Sequence, residues 1–283
     1  MARQNHTPTQ SVERAAKQAA AHPWVERLAR FGMAAKGVVY AVVGVLAARV
    51  AFGTGGRTTD TQGALVTIIN QPFGQILLSL IAIGLVGYVL WRFVQAFFDP
   101  ENKGSDAGGI AKRGGDSING LIYGGLALTA IKMLLGSANQ SNQNSPQDWT
   151  ARILAQPFGD WLVGVGGAFV IGYGFYEFYR AYKAKFRQQF KLHEMSEAER
   201  NWATRAGRFG YVARGIVFLI IGFFLIQAAR LSDPSQARGL GGALETLAQQ
   251  PYGPWLLGVV AIGLVAYGIF MMVLARYRRV IMS

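Results

Sequence analysis

Six apolar runs of about 20 residues, each long enough to cross a hydrocarbon core of roughly 30 Å as a helix, constrain this chain more than any other feature. Lipid offers the backbone no hydrogen-bond partners, so such runs must satisfy their N–H and C=O groups internally. They fall at about 31–53, 73–97, 114–136, 158–182, 209–229 and 254–276. Of 283 residues, 51% are hydrophobic, only 15% are charged and 36 are glycine, which is too apolar and glycine-rich for an ordinary soluble enzyme. The predicted fold class is all-α, an integral membrane protein with six transmembrane helices.

The runs come in pairs, and the pair is written three times. Gln71-Pro72-Phe73-Gly74, Gln156-Pro157-Phe158-Gly159 and Gln250-Pro251-Tyr252-Gly253 open the even runs. The first run begins Arg30-Phe31-Gly32, with Lys36-Gly37 and Tyr40, and the fifth begins Arg208-Phe209-Gly210, with Arg214-Gly215 and Phe218. The middle copy is degenerate: Arg113-Gly114-Gly115, with Asn119-Gly120 and Tyr123. Fourteen residues past each motif glycine stands a tyrosine, Tyr88, Tyr173 or Tyr267. After a polar tail at 1–23, the repeats are predicted at 24–103, 104–190 and 191–283. All three hairpins enter from one side, so an axis along the membrane normal relates them, and a pseudo-threefold bundle is the simplest arrangement. Repetition alone also permits a row.

The signature residues read as structural. Gly37, Gly120 and Gly215 are followed seven residues on by Gly44, Ala127 and Gly222, giving each odd span a smooth stripe along which backbones can approach. Pro72, Pro157 and Pro251, beside Gly74, Gly159 and Gly253, are expected in the first helical turn, where a missing N–H costs nothing. Each tyrosine lies roughly 20 Å inside its entry side, so its hydroxyl needs a partner and its face should point into the bundle. That face carries Gly84, Gly87 and Trp91 in the first unit, Phe169, Gly172 and Tyr176 in the second, and Gly263, Ala266 and Phe270 in the third. A short amphipathic surface helix is expected before each Gln-Pro. Trp24, Arg27 and Arg30, like Trp202, Arg205 and Arg208, are expected on a helix lying at headgroup level before the chain turns into the bilayer.

Lys and Arg number 6 up to Lys36, 4 from Arg92 to Arg113, 9 from Arg180 to Arg214 and 3 after Leu274, whereas the other connections hold only Arg57, Arg152, Arg230 and Arg238. This bias places both termini in the cytoplasm. It also explains the net charge of +13 without nucleic acid as a partner.

Lys36, Asn119 and Arg214 are equivalent, and thirteen residues later come Arg49, Lys132 and Gln227. Around the helix, Lys36 lies about 100° to one side of the Gly37 stripe and Arg49 about 120° to the other, so one straight helix cannot aim both into a pore. The expectation is that these side chains snorkel to the interfaces or touch anionic lipid, with an axial anion path as the rival. The candidate lipid or anion contacts are Arg27, Arg30, Lys36, Arg205, Arg208 and Arg214. Glu177, the one carboxylate near the body of a span, reads as an i,i+3 partner of Arg180, with a proton-coupled role as the rival. No catalytic, cofactor-binding or metal residue is expected. His6, His22 and His193 lie outside the spans, cysteine is absent, and Asp60, Asp148, Asp233 and Glu245 are scattered over outward loops without a histidine.

Together the Arg-x-Gly-(x3)-Lys/Arg-Gly start, the Gln-Pro-Phe/Tyr-Gly entry and the following tyrosine resemble the bacterial membrane family called domain of unknown function 1206, over about Trp24 to Arg279. The resemblance implies an inner-membrane protein of three tandem two-span units and brings no catalytic residue with it. The middle unit departs most, with Asn119 for the basic residue and no Trp-Arg preface. The expected function is a non-catalytic scaffold or accessory subunit that binds lipid, above all anionic lipid, or another membrane protein. The rival is a small channel or transporter for an anionic or lipid-like solute.

Overall fold

Nine α-helices form among the residues that the computed structural model describes, 23–99, 104, 106–137 and 145–278. Six are long and apolar enough to cross a membrane: α1 (Pro23–Ala51), α3 (Gly74–Phe98), α4 (Ala107–Leu134), α6 (Gly159–Lys183), α7 (Glu197–Leu231) and α9 (Gly253–Tyr277). Three short helices precede the even spans: α2 (Thr61–Ile69), α5 (Pro146–Leu154) and α8 (Leu240–Ala248). The chain is an all-α, multi-pass membrane protein. The tail before Pro23 and residues 138–144, in the Ser/Asn/Gln-rich connection between α4 and α5, lie outside the described residues.

Local chemistry explains where helices start. The Ser196 hydroxyl caps α7 by accepting from the Glu199 N–H, and the Glu199 carboxylate accepts in return from the Ser196 N–H at 2.8 Å, a capping box. Asp148 completes a second box with Ser145 on α5, and Asp60 caps α2 through the Gly63 N–H at 2.8 Å. Two of the scattered outward acids are thus helix caps. Asp233 accepts from Ser235 and Gln236, which holds its carboxyl below the usual range.

The repeated entry motif is a turn, not a helix start. Gly74, Gly159 and Gly253 donate to the carbonyls of Gln71, Gln156 and Gln250 at 2.8, 2.9 and 2.7 Å. The intervening Phe73, Phe158 and Tyr252 have φ of 61, 63 and 61°. This is a type II-like turn with proline at its second position and an aromatic where glycine is usual. The prolines therefore lie before the helices and not in their first turn, because the chain must reverse from the short helix into the span. The glycine follows because a side chain there would collide with the carbonyls of Ile68 and Ile69 in the first unit, and with those of Ile153 and Leu154 or Leu247 and Ala248 in the others. The three αL aromatics are about 80% exposed, at 79, 80 and 82%.

The Trp-Arg prefaces also differ from expectation. Trp24 to Arg30 and Trp202 to Arg208 continue straight into α1 and α7, without the bend an in-plane surface helix would need. No proline stands between Trp24 and Arg30 or between Trp202 and Arg208, and Gly207 is accommodated within α7, so the hydrogen-bond ladder runs on into each span.

The six spans pack in the order α4, α3, α1, α9, α7, α6. The glycine stripes sit where one unit meets the next. A first side-chain carbon at Gly37 of α1 would lie 2.6 Å from the Gly268 carbonyl of α9, and one at Gly222 of α7 would lie 2.6 Å from Ile171 of α6. Gly120 of α4 faces Phe93 of α3. Within the outer hairpins a second contact forms: Gly84 lies against Ala35, and Gly263 against Ala213. At the equivalent place in the middle hairpin stand Ile118 and Phe169, 44 and 58% exposed, and α4 and α6 do not pack together. The pseudo-threefold ring is open at this one position.

A tyrosine-lined axis and a side cleft

The axis is built from residues the repeat places in register. In each of three places the aromatic of an odd span meets the tyrosine of the preceding unit edge to face: Tyr40 with Tyr267, Tyr123 with Tyr88, and Phe218 with Tyr173. Their ring centroids are 5.0, 4.9 and 5.1 Å apart. The Tyr123 hydroxyl donates to Tyr40 at 3.3 Å, joining two of these pairs.

Two cations sit inside this aromatic layer. Lys36 is 3% exposed and Arg214 is 5% exposed, so neither snorkels, contrary to the sequence expectation. The Lys36 ammonium donates to Tyr88 at 3.1 Å and lies over the rings of Tyr123 and Tyr88, 4.3 and 4.9 Å from their centroids. The Arg214 guanidinium donates to Tyr267 at 2.7 Å. Each basic residue binds the tyrosine of its own hairpin, which draws it inward and supplies the partner the buried hydroxyl requires. The middle equivalent, Asn119, donates to the Gly115 carbonyl of its own helix at 2.9 Å. Arg49 and Lys132 are exposed, as expected of side chains turned to the opposite side of the stripe. Of the other candidate contacts, Arg27, Arg205 and Arg208 are exposed, and Arg30 donates to the Arg278 carbonyl at 3.1 Å.

A second cationic layer lies nearer the chain termini. Arg92 donates to Tyr88, Asp116 and Gln95 at 2.8, 2.7 and 3.0 Å. Arg180 donates to Tyr211 at 2.8 Å, and Arg278 reaches the Met33 sulfur at 3.1 Å. Met33, Asp116 and Tyr211 are repeat equivalents, each three residues before the basic position, so an arginine meets each odd span there. Glu177 is fully buried and pairs with Arg214 at 3.6 Å as well as with its i,i+3 neighbour Arg180 at 3.7 Å. Both of its oxygens lack a hydrogen bond, as does Nε of Arg214. Sequence reasoning missed this bridge because it links helices of different units.

Beside the axis lies a cavity of about 450 Å³, within the range of small-molecule sites. Ile118, Asn119 and Ile122 of α4 form one wall, Phe169, Val170 and Tyr173 of α6 the other, and α7 the back, with Arg214 at its polar end. Since α4 and α6 do not pack together, the cavity lies behind their gap. These two spans are also the least buried, at 28 and 22% over their apolar windows. Among the described residues no group of three His, Cys, Asp or Glu is placed to hold a metal ion.

A family model described as Domain of Unknown Function (DUF1206) matches three segments, 31–99, 115–184 and 209–278. The chain is 39% identical over 248 residues to "Uncharacterized protein YxxB" of Bacillus subtilis (strain 168), covering 88% of this chain and 89% of that one. No solved structure matches. The matched segments each hold one two-span unit with its basic or Asn position, entry turn and tyrosine, and the chain belongs to the DUF1206 family.

Proposed function

We propose that this protein is a non-catalytic component of the bacterial cytoplasmic membrane that binds lipid from the bilayer, as a scaffold or accessory subunit, with both termini in the cytoplasm. One observation carries the reading: the apolar cavity lies behind the gap between α4 and α6 and ends at a buried arginine. A gap between spans gives access from lipid, and a cation in that position favours a ligand with an anionic group. The exposed Phe73, Phe158 and Tyr252 at one end and Trp24 and Trp202 at the other support a bilayer-spanning placement, since aromatics favour both interfaces. Native mass spectrometry of protein released gently from its own membrane tests the reading. It predicts co-purifying lipid that is lost when Val170→Trp fills the cavity. A stoichiometric second protein would identify the system the scaffold serves, and a bare protein would argue against lipid binding.

Transport of an anionic or lipid-like solute is the second reading, favoured by Lys36 and Arg214 beside the axis. The tyrosine layer and the packing of Phe186, Phe190 and Phe270 near the termini support binding over conduction. Exchanging Lys36 and Arg214 for Glu should leave ion conductance absent in reconstituted vesicles; a conductance with reversed ion preference would favour transport.

A further inference from the structure

We propose that the cleft between α4 and α6 holds a single-chain carboxylate of fatty-acid type, its head against Arg214 and its tail along α7; this rests on the lipid-binding reading. Charge gives the sign of the head. Among the described residues at the polar end, Arg180 and Arg214 face one carboxylate, Glu177. Glu177 is shared by the two, so one acid meets two cations, of which Arg214 lines the cavity. Buried charge of one sign calls for a partner, and an anion beside Arg214 supplies it. Arg214 is 5% exposed, and its side chain lines the cavity. Asn119 and Tyr173 add neutral donor groups on the two cleft walls.

Depth and shape narrow the class. Arg208 is exposed, whereas Arg214 lies six residues further along the helix, about 9 Å deeper at 1.5 Å per residue. A phospholipid whose head stays in its own leaflet does not reach that depth, but a small head on one chain does. From Arg214 to Leu225, both lining the cavity, α7 rises about 16 Å. An extended chain of roughly a dozen carbons covers that length, at about 1.25 Å of rise per bond from ordinary C–C geometry. Most of the remaining wall, including Ile118, Ile122, Phe169, Val170, Val217 and Ile221, is hydrocarbon, and Thr61, Tyr40 and Tyr123 also line it.

The test uses the full chain in nanodiscs of neutral phosphatidylcholine, with isotope-labelled myristate, its methyl ester and dimyristoyl phosphatidylglycerol as probes. Myristate should be retained about tenfold or more over the ester, the weight of a charge-assisted hydrogen bond. Val170→Trp should abolish retention of both. Asn119→Leu with Tyr173→Phe should weaken myristate alone, and Arg214→Lys should retain it better than Arg214→Gln. Equal retention of acid and ester, or preference for phosphatidylglycerol, with both lost in Val170→Trp, would overturn the carboxylate assignment and leave lipid binding in the cleft intact. Retention unaffected by Val170→Trp would overturn both.

Discussion

The outer hairpins and the middle hairpin are copies of one unit, yet the outer two are closed and the middle one is open. In α1 with α3, and in α7 with α9, an alanine meets a glycine and a basic residue binds the tyrosine opposite. In α4 with α6 the same places hold Ile118 and Phe169, and Asn119 turns back to its own helix. In lipid, helices associate through close packing and interhelical hydrogen bonds, and the middle unit has lost both. Divergence of one repeat has turned an interface into a cavity.

The largest effect expected from this contrast is at the basic positions. Arg214→Met strands Glu177 with Arg180 alone and should destabilise the bundle by about 3–5 kcal/mol, read as a fall in melting temperature in detergent. Lys36→Met removes a cation without a carboxylate partner together with its bond to Tyr88, which Arg92 still satisfies, and should cost less, about 1 kcal/mol. If the two variants were equally damaging, the buried-bridge account of Glu177 would be wrong.

Next come the glycines. A side-chain carbon at Gly210 would meet the Tyr267 backbone at 2.6 Å, whereas one at Gly115 meets nothing within 4 Å. Gly210→Ala should therefore cost about 1–3 kcal/mol by overpacking. Gly115→Ala should be neutral or stabilising by up to about 1 kcal/mol, from helix propensity. Thermal unfolding of the two variants side by side gives the sign of each.

The smallest effect is at the exposed rim. Arg205→Gln and Arg208→Gln should each weaken attraction to anionic lipid by about 1 kcal/mol, a loss measured by vesicle co-sedimentation and screened by salt. Lipid held at Arg214 should be insensitive to the same salt. Salt-sensitive retention in the cleft would move the binding site to the rim.

Much of this was legible from residues in order. Hydropathy marks the spans, the Gln-Pro motif marks the units, and the glycine stripes mark close packing. What misled was depth. Lys36 and Arg214 read as snorkelling because their spacing from the interface permits it, and a single helix does not reveal that a tyrosine waits on its neighbour. The αL aromatic was hidden because phenylalanine rarely takes that conformation, and only the reversal from α2 into α3 demands it. The opening was written in the sequence as Ile118, Asn119 and Phe169. It becomes readable only once Ala35 and Gly84 are known to touch.

The absence of cysteine makes the central claim directly measurable. Ala213→Cys with Gly263→Cys, and Ile118→Cys with Phe169→Cys, place thiols at equivalent positions in a closed and an open hairpin. Under mild oxidation in native membranes the first pair should cross-link after its helices part by about 1 Å to reach disulfide geometry, and the second should stay reduced. Equal cross-linking of both pairs would show that the middle hairpin is closed, and would contradict the cleft.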